Sequence, residues 1–380
     1  MKQFYILLFL FTALASNAQQ EFTLTMNFQD STRSFIVHLP PQYSAGSTLP
    51  VVFNLHGYGS DAAQEIFYTR MDLTANANAF ICVFPDGLSN SWNSGFSGTG
   101  PYNSGVNDVG FISKIIDTVY QLYGCDLTRV YACGMSNGGY QSYRLACELE
   151  NRIAAIASVT GTITDSTAFY CTLARRVPVL EIHGTADPLV PYNGDPGSYS
   201  IENLISFWIN KNQCFLESDT TNLPDIDNTD SSTVQRIRYT NCSQNARIWL
   251  DKVIGGGHAW PGASIPFIYG PTNKDLNASQ EIWNFFKQYT LNGAVDVNEP
   301  SAEQSVWTVY PNPFSSTIAI SAMGTAATQA ELLDATGRLI QLNTITAGQT
   351  QFATGNLASG IYFVRLSSAD FTSVKRLVKE

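Results

Sequence analysis

The stretch Arg129-Val130-Tyr131-Ala132-Cys133-Gly134-Met135-Ser136-Asn137-Gly138-Gly139-Tyr140 decides how the rest of the chain is read. Its opening apolar run suits a buried strand, and the residues from Tyr140 to Glu150 suit a helix. Between them lies a serine in a G-x-S-x-G setting. A strand, a sharp turn and a helix in that order hold a serine hydroxyl on a strained turn where it can act as a nucleophile. Side chains at Gly134 or Gly138 would crowd the strand against the helix, which explains the residue type at both positions.

Working outward, further strand-like runs occur at 35–39, 50–56, 79–85, 153–159, 177–183 and 247–253. Most are continuous apolar runs, as expected of strands buried on both faces of a parallel sheet. Helical patterns fall between them. Asp108 is a candidate cap for a helix carrying Ile112, Ile115, Ile116 and Val119 on one face. Ser200 is a candidate cap for another, with Ile201, Leu204, Ile205, Trp208 and Ile209. Alternating strands and helices over residues 19–293 predict an α/β sandwich around a mostly parallel central sheet.

A serine on such a turn needs a base and an acid that follow it in the chain. Of the four histidines (38, 56, 183 and 258), only His183 and His258 come after Ser136. His183 ends a strand directly before Gly184-Thr185-Ala186-Asp187, leaving no room for an acid on an earlier strand end. His258 lies in the loop Gly255-Gly256-Gly257-His258-Ala259-Trp260-Pro261-Gly262 and is the candidate base. Asp187, after the strand 177–183, is then the candidate acid, with Asp195 and Asp225 as weaker rivals. Two backbone N–H groups should face the developing oxyanion. Asn137 follows the serine, and Tyr58 lies between Gly57 and Gly59 in the loop after an early strand. His56 reads as a residue that fixes that loop.

An ordered set of motifs now stands out. It comprises His56-Gly57-Tyr58-Gly59, Pro85-Asp86-Gly87, Asp108-Val109-Gly110-Phe111, Gly134 to Gly139, His183 to Asp187 and Gly256 to Gly262. The set resembles the polyhydroxybutyrate depolymerase/feruloyl esterase family of α/β-hydrolases, over roughly residues 30–290. The resemblance implies a secreted serine esterase with Ser136, Asp187 and His258 as its triad and with no metal or cofactor. The family acts on several acyl esters, so the resemblance leaves the substrate open. An exported enzyme meets polymers outside the cell, which favours a feruloyl or acetyl ester on plant polysaccharide, with polyhydroxybutyrate or its oligomers second. A serine peptidase and an inactive surface-binding protein are the remaining readings; the chain lacks the propeller domain that oligopeptidases of this fold carry.

Beyond a linker at 294–305, which carries three acidic residues and no basic one, the sequence changes character. Residues 306–380 hold short strand-like runs between turn signals, the pattern of a small all-β sandwich. Tyr310-Pro311-Asn312-Pro313-Phe314, Asp334-Ala335-Thr336-Gly337-Arg338, Gly360-Ile361-Tyr362-Phe363-Val364 and the basic end Lys375 to Lys379 are similar to type IX secretion C-terminal sorting domains. That resemblance implies the type IX secretion machinery as a partner. The alternative, a carbohydrate-binding sandwich, would want more exposed tryptophan than Trp307 alone. At the other end, Met1-Lys2-Gln3 precedes an apolar run and a small-residue stretch ending at Ala18, the pattern of a cleaved signal peptide over 1–18. The run is shorter than the about 20 residues a membrane span needs. Export to the cell surface or medium follows.

Composition bounds these readings. The chain has 380 residues, 44% hydrophobic and only 14% charged, which excludes a disordered chain. Its formal charge of −10 argues against a nucleic-acid partner. Seven cysteines suit an exported protein, and an odd number leaves at least one thiol free. Cys82 and Cys133 sit in apolar runs and read as buried small hydrophobes. Cys147 and Cys171 flank a strand and its following loop, and Cys214 and Cys242 flank a polar loop. These two pairs, Cys147–Cys171 and Cys214–Cys242, are the candidate disulfides, a choice the family resemblance supports. The polar stretch 89–107, with Trp92 and Tyr102, reads as a rim over an acyl pocket. Trp260 could stack on substrate or pack beneath the base loop. Asp225-x-Asp227-x-x-Asp230 hints at calcium but lacks the glycine and distal glutamate of such loops, and reads rather as a solvated surface segment.

Overall fold

The computed structural model describes residues 20–96, 105–266, 268–294, 307–322, 329–334, 338–346, 349–367 and 372–380. The segment 1–18, Tyr102 and most of the linker lie outside them. The chain divides into two units, Met1–Val295 and Asp296–Glu380.

The first unit is built on ten strands. In chain order they are β1 (Gln20–Phe28), β2 (Ser31–Leu39), β3 (Val51–Leu55), β4 (Ile81–Pro85) and β5 (Val130–Met135), then β6 (Ala155–Val159), β7 (Val179–Gly184), β8 (Asp219–Asn222), β9 (Thr233–Tyr239) and β10 (Ile248–Ile254). They form one sheet in the order β1-β2-β4-β3-β5-β6-β7-β10-β9-β8. The run from β4 to β10 is parallel, and antiparallel pairs close both edges. Among the described residues seven helices accompany it: α1 (Ala62–Thr69), α2 (Met71–Asn78), α3 (Asp108–Tyr123), α4 (Asn137–Glu148), α5 (Asp165–Tyr170), α6 (Ile201–Asn212) and α7 (Ala278–Phe286). A short ribbon of β11 (Tyr289–Thr290) and β12 (Gly293–Ala294) ends the unit, so Ala294 belongs to a strand rather than to the linker.

Successive strand residues feed opposite faces. Val51, Phe53 and Leu55 join the core made with α3, α4 and α6, whereas Val52 joins the core made with α2 and α7. Both faces are therefore covered, and the parallel strands read as unbroken apolar runs. The edge strands escape that rule. β8 is wholly exposed and β1 nearly so, and neither was among the expected strands. The expected cap of α3 also moves by one residue. Asn107 accepts the Gly110 N–H, while Asp108 is buried and accepts from Arg33 and from the Asn93 N–H.

The second unit has strands β13 (Thr308–Tyr310), β14 (Thr317–Ser321), β15 (Gln329–Asp334), β16 (Leu339–Thr344), β17 (Gln349–Ala353), β18 (Gly360–Ser367) and β19 (Thr372–Lys379). They make a three-stranded sheet, β13-β14-β17, and a four-stranded one, β16-β15-β18-β19. Trp307, Phe314, Ile318, Phe352 and Val364 fill the core between them. Trp307 is thus fully buried, with the Lys375 ammonium over its ring.

Among the described residues, no helix is long and apolar enough to cross a membrane, and no group of three or more His, Cys, Asp or Glu side chains could hold a metal ion.

Candidate active site

β5 runs between β3 and β6 and ends at Met135, so the next residue must turn at once into α4. Ser136 makes that turn with φ 54° and ψ −117°, a conformation side chains rarely adopt. Its N–H donates to the Val159 carbonyl at 2.8 Å, which pins the turn to β6. The flanking glycines are forced by β3. A Cβ at Gly138 would lie 2.0 Å from the Leu55 carbonyl oxygen, and one at Gly134 would lie 2.5 Å from it. The serine stands out because helix and strand press together beneath it.

The loops after β7 and β10 emerge beside each other because those strands are parallel neighbours. The first carries Asp187 and the second His258. His258 Nδ1 lies 2.7 Å from Asp187 Oδ2, and both residues are buried. The other carboxylate oxygen of Asp187 accepts the N–H groups of Leu189 and Val190 at 2.8 and 2.9 Å. With Asp187 as acceptor, His258 carries its proton on Nδ1, which makes Nε2 the acceptor nitrogen of the ring.

His183 plays a different part. Its Nδ1 meets Glu181 Oε1 at 2.9 Å, and its Nε2 meets the Val190 carbonyl at 2.9 Å. Tyr143 donates to the second Glu181 oxygen at 2.7 Å. Burial opposes a charge on His183, but the hydrogen bond and negative charge of Glu181 outweigh it and hold its pKa above the usual value. This buried chain supports the Asp187 loop from below, with Nε2 of His183 3.6 Å from Asp187 Oδ2.

Ser136, His258, Tyr58 and Asn137 border one cavity of about 700 Å3. The Asn137 amide opens α4, where N–H groups have no intrahelical partner and favour negative charge. The Asn137 side chain is spent on structure, accepting the Trp92 N–H at 2.7 Å and donating to Ser94 Oγ at 2.9 Å. His56 fixes the Tyr58 loop. It accepts the Gly87 N–H at Nε2 (2.9 Å), so its Nδ1–H donates to the Gly57 carbonyl (2.7 Å). Burial lowers its pKa, in keeping with that neutral tautomer. Of the two loop glycines, Gly59 is required by a φ of +77°. A Cβ at Gly57 would find only ordinary contacts at 3.6 Å.

Two expectations are corrected. Trp92 is fully buried, donates its indole N–H to the His56 carbonyl at 2.9 Å and packs on the His56 ring. It is a strut under the Tyr58 loop and not a wall of the cavity. Trp260 is 1% exposed and donates to Ser279 Oγ at 3.1 Å, so it packs beneath the base loop. The rivals also separate. Asp195 borders the cavity but accepts from Ser198 Oγ at 2.7 Å, and Asp225 is exposed. Asp227 and Asp230 hold backbone N–H groups of their own loop, and Asp230 also takes the Lys274 N–H.

Sequence reasoning missed the cavity wall made by Glu65 and Tyr68 of α1, Phe96, Tyr140, Ile265 and Tyr269. No local pattern marks these residues, because they come from four separate segments. It also passed over the link that makes Pro85-Asp86-Gly87 and Asp108 matter. Arg33 donates to the Asp86 carbonyl and to Asp108, and Asp86 accepts from Ser34 Oγ and the Ala62 N–H. The four cysteines singled out are joined as Cys147–Cys171 and Cys214–Cys242.

A serine on a strand–helix turn, at the carboxyl ends of a mostly parallel sheet and on the same cavity as a histidine, defines an α/β-hydrolase. A phospholipase/carboxylesterase family model matches residues 106–226, and a secretion system C-terminal sorting domain model matches residues 308–380. Among curated proteins it is 27% identical over 275 residues to a bifunctional acetylxylan esterase/xylanase of Neocallimastix patriciarum, covering 71% of this chain and 35% of that one. It is 25% identical over 287 residues to feruloyl esterase D of Neurospora crassa, covering 70% and 86%. The chain thus spans about a third of the first relative's length. A solved ferulic acid esterase from Anaeromyces mucronatus aligns with TM-score 0.46 at 16% identity, covering 72% and 91%.

Proposed function

We propose that the first unit is a serine esterase that cleaves carboxylic esters through an acyl-enzyme, with feruloyl or acetyl esters on plant polysaccharide as substrates. The observation that carries this reading is the buried His258–Asp187 pair at 2.7 Å, with His258 bordering the same cavity as the turn-mounted Ser136. Asp187 holds His258 in the tautomer whose Nε2 can take the Ser136 proton, and it stabilises the imidazolium that forms. Ser136 Oγ attacks the ester carbonyl, and the oxyanion rests on the Tyr58 and Asn137 amides. His258 returns its proton to the leaving alcohol, and water repeats the sequence to free the acid. No metal or cofactor enters any step.

The relatives named above supply the substrate class. The sorting domain supports delivery outside the cell by type IX secretion, after a signal peptide over 1–18 has been removed. A fluorophosphonate probe tests the chemistry: it should label the wild-type chain at Ser136 and leave Ser136→Ala unlabelled. Absence of labelling in the folded wild type overturns the esterase reading. Release of ferulate, of acetate from acetylxylan and of hydroxybutyrate from its oligomers then ranks the substrates, and a lead for the last favours the depolymerase reading.

A further inference from the structure

Among the described residues, Glu65 is the one carboxyl on the cavity that the mechanism does not use and whose surroundings do not account for it. It belongs to α1, is 3% exposed, and borders the same cavity as Ser136 and His258. Its Oε1 is buried without a hydrogen-bond partner. The helix does not consume the side chain, since Thr69 Oγ1 bonds to the backbone carbonyl of Glu65 instead. Burial pushes its pKa well above the usual carboxylate range, with no cation to offset it. Burial thus favours the carboxylic acid form, which can donate through O–H and accept through C=O. Around it the cavity is aromatic, with Phe67, Tyr68, Phe96 and Tyr269.

A buried polar group without a partner is destabilising, a cost removed when a ligand supplies the partner. We propose that the Glu65 carboxyl hydrogen-bonds a hydroxyl or ether oxygen on the acyl group of the substrate ester, and so selects phenolic acyl groups over plain aromatic ones. This inference rests on the esterase reading and names the part of the substrate that Glu65 meets. The acyl side follows from size. The alcohol of a polysaccharide ester is a polymer that must stay in solvent, whereas a group as buried as Glu65 is reached only by the part that enters the cavity. A flat ring between aromatic side chains, with one polar substituent directed at Glu65, satisfies both the wall and the carboxyl.

The test measures kcat/KM for methyl ferulate and for methyl cinnamate, which lacks the ring hydroxyl and methoxy groups. It uses the full wild-type chain, Glu65→Met and Glu65→Gln. The wild type should favour ferulate, and Glu65→Met should lower the ferulate-to-cinnamate ratio roughly 10- to 100-fold. Glu65→Gln, which still donates and accepts, should restore most of it. A ratio that Glu65→Met leaves within about threefold of wild type assigns Glu65 a structural part only and overturns the inference. Parity of the two esters in the wild type overturns it without any variant, even where Glu65→Met fails to fold. In that case continued cleavage of both esters leaves the esterase reading standing. Silence on both esters together with no fluorophosphonate labelling removes that reading as well.

Discussion

Ser136 and Glu65 border the same cavity and reach it by different means. Ser136 is placed by six contiguous residues whose backbone is dictated from below: the Leu55 carbonyl forbids a side chain at Gly138, and the Val159 carbonyl anchors the turn. Glu65 sits on an eight-residue helix, and the wall it shares is assembled from the loop after β7, from Phe96 and Tyr140, and from residues 265 and 269. The group expected to react is thus held by short-range backbone geometry, and the surface expected to recognise substrate is held by packing between distant segments. Changes near Ser136 should be severe in rate or folding, and changes on the wall should be graded.

The sharpest way to break that contrast is Asp187→Asn. The amide cannot hold His258 in the required tautomer, and kcat should fall about 10⁴-fold with the melting temperature near wild type. A loss under tenfold would mean that His258 orientation does not set the rate. Next comes a pair of glycines. Gly138→Ala places a Cβ 2.0 Å from the Leu55 carbonyl oxygen, so urea unfolding should show a loss of roughly 3 kcal/mol or failure to fold. Gly57→Ala, with its nearest contact at 3.6 Å, should stay within about 1 kcal/mol. Equal effects would deny that β3 dictates the turn.

The smallest effect belongs to the wall and appears as a pH dependence. Folded Glu65 keeps its proton where the unfolded chain has lost it, because burial raises its pKa. Stability from this group is complete below the unfolded pKa of about 4.3 and is lost as pH rises through the folded value, at no more than about 1.4 kcal/mol per pH unit. Glu65→Gln should flatten that decline as pH rises above the unfolded pKa of about 4.3, followed by urea unfolding. An unchanged slope would show that Glu65 is ionised in the folded chain.

The same contrast explains what the sequence could show. The central strands, the turn at Ser136, and the order Ser136, Asp187, His258 were legible because each is a local run or a simple succession along the chain. β1 and β8 were not, since an exposed edge strand loses the apolar run that marks a buried one. Trp92 read as a substrate contact because a tryptophan in a long polar stretch suggests a rim. Its indole is turned inward by the His56 carbonyl, a partner 36 residues away. Glu65 gave no signal at all. A glutamate on a short helix is ordinarily solvated, and only the tertiary structure encloses it.

The three unpaired cysteines carry a consequence for a chain whose C-terminal part matches a secretion system sorting domain. Cys82, Cys125 and Cys133 are all buried. Burial raises the Cys125 thiol to about 11 and pushes the other two well above their usual value. Thiol–disulfide exchange needs an exposed thiolate, and none of the three supplies one once the sheet has closed. Folding itself therefore acts as a redox filter: four sulfurs are spent in two fixed bonds, and the other three are withdrawn from exchange once the sheet has closed.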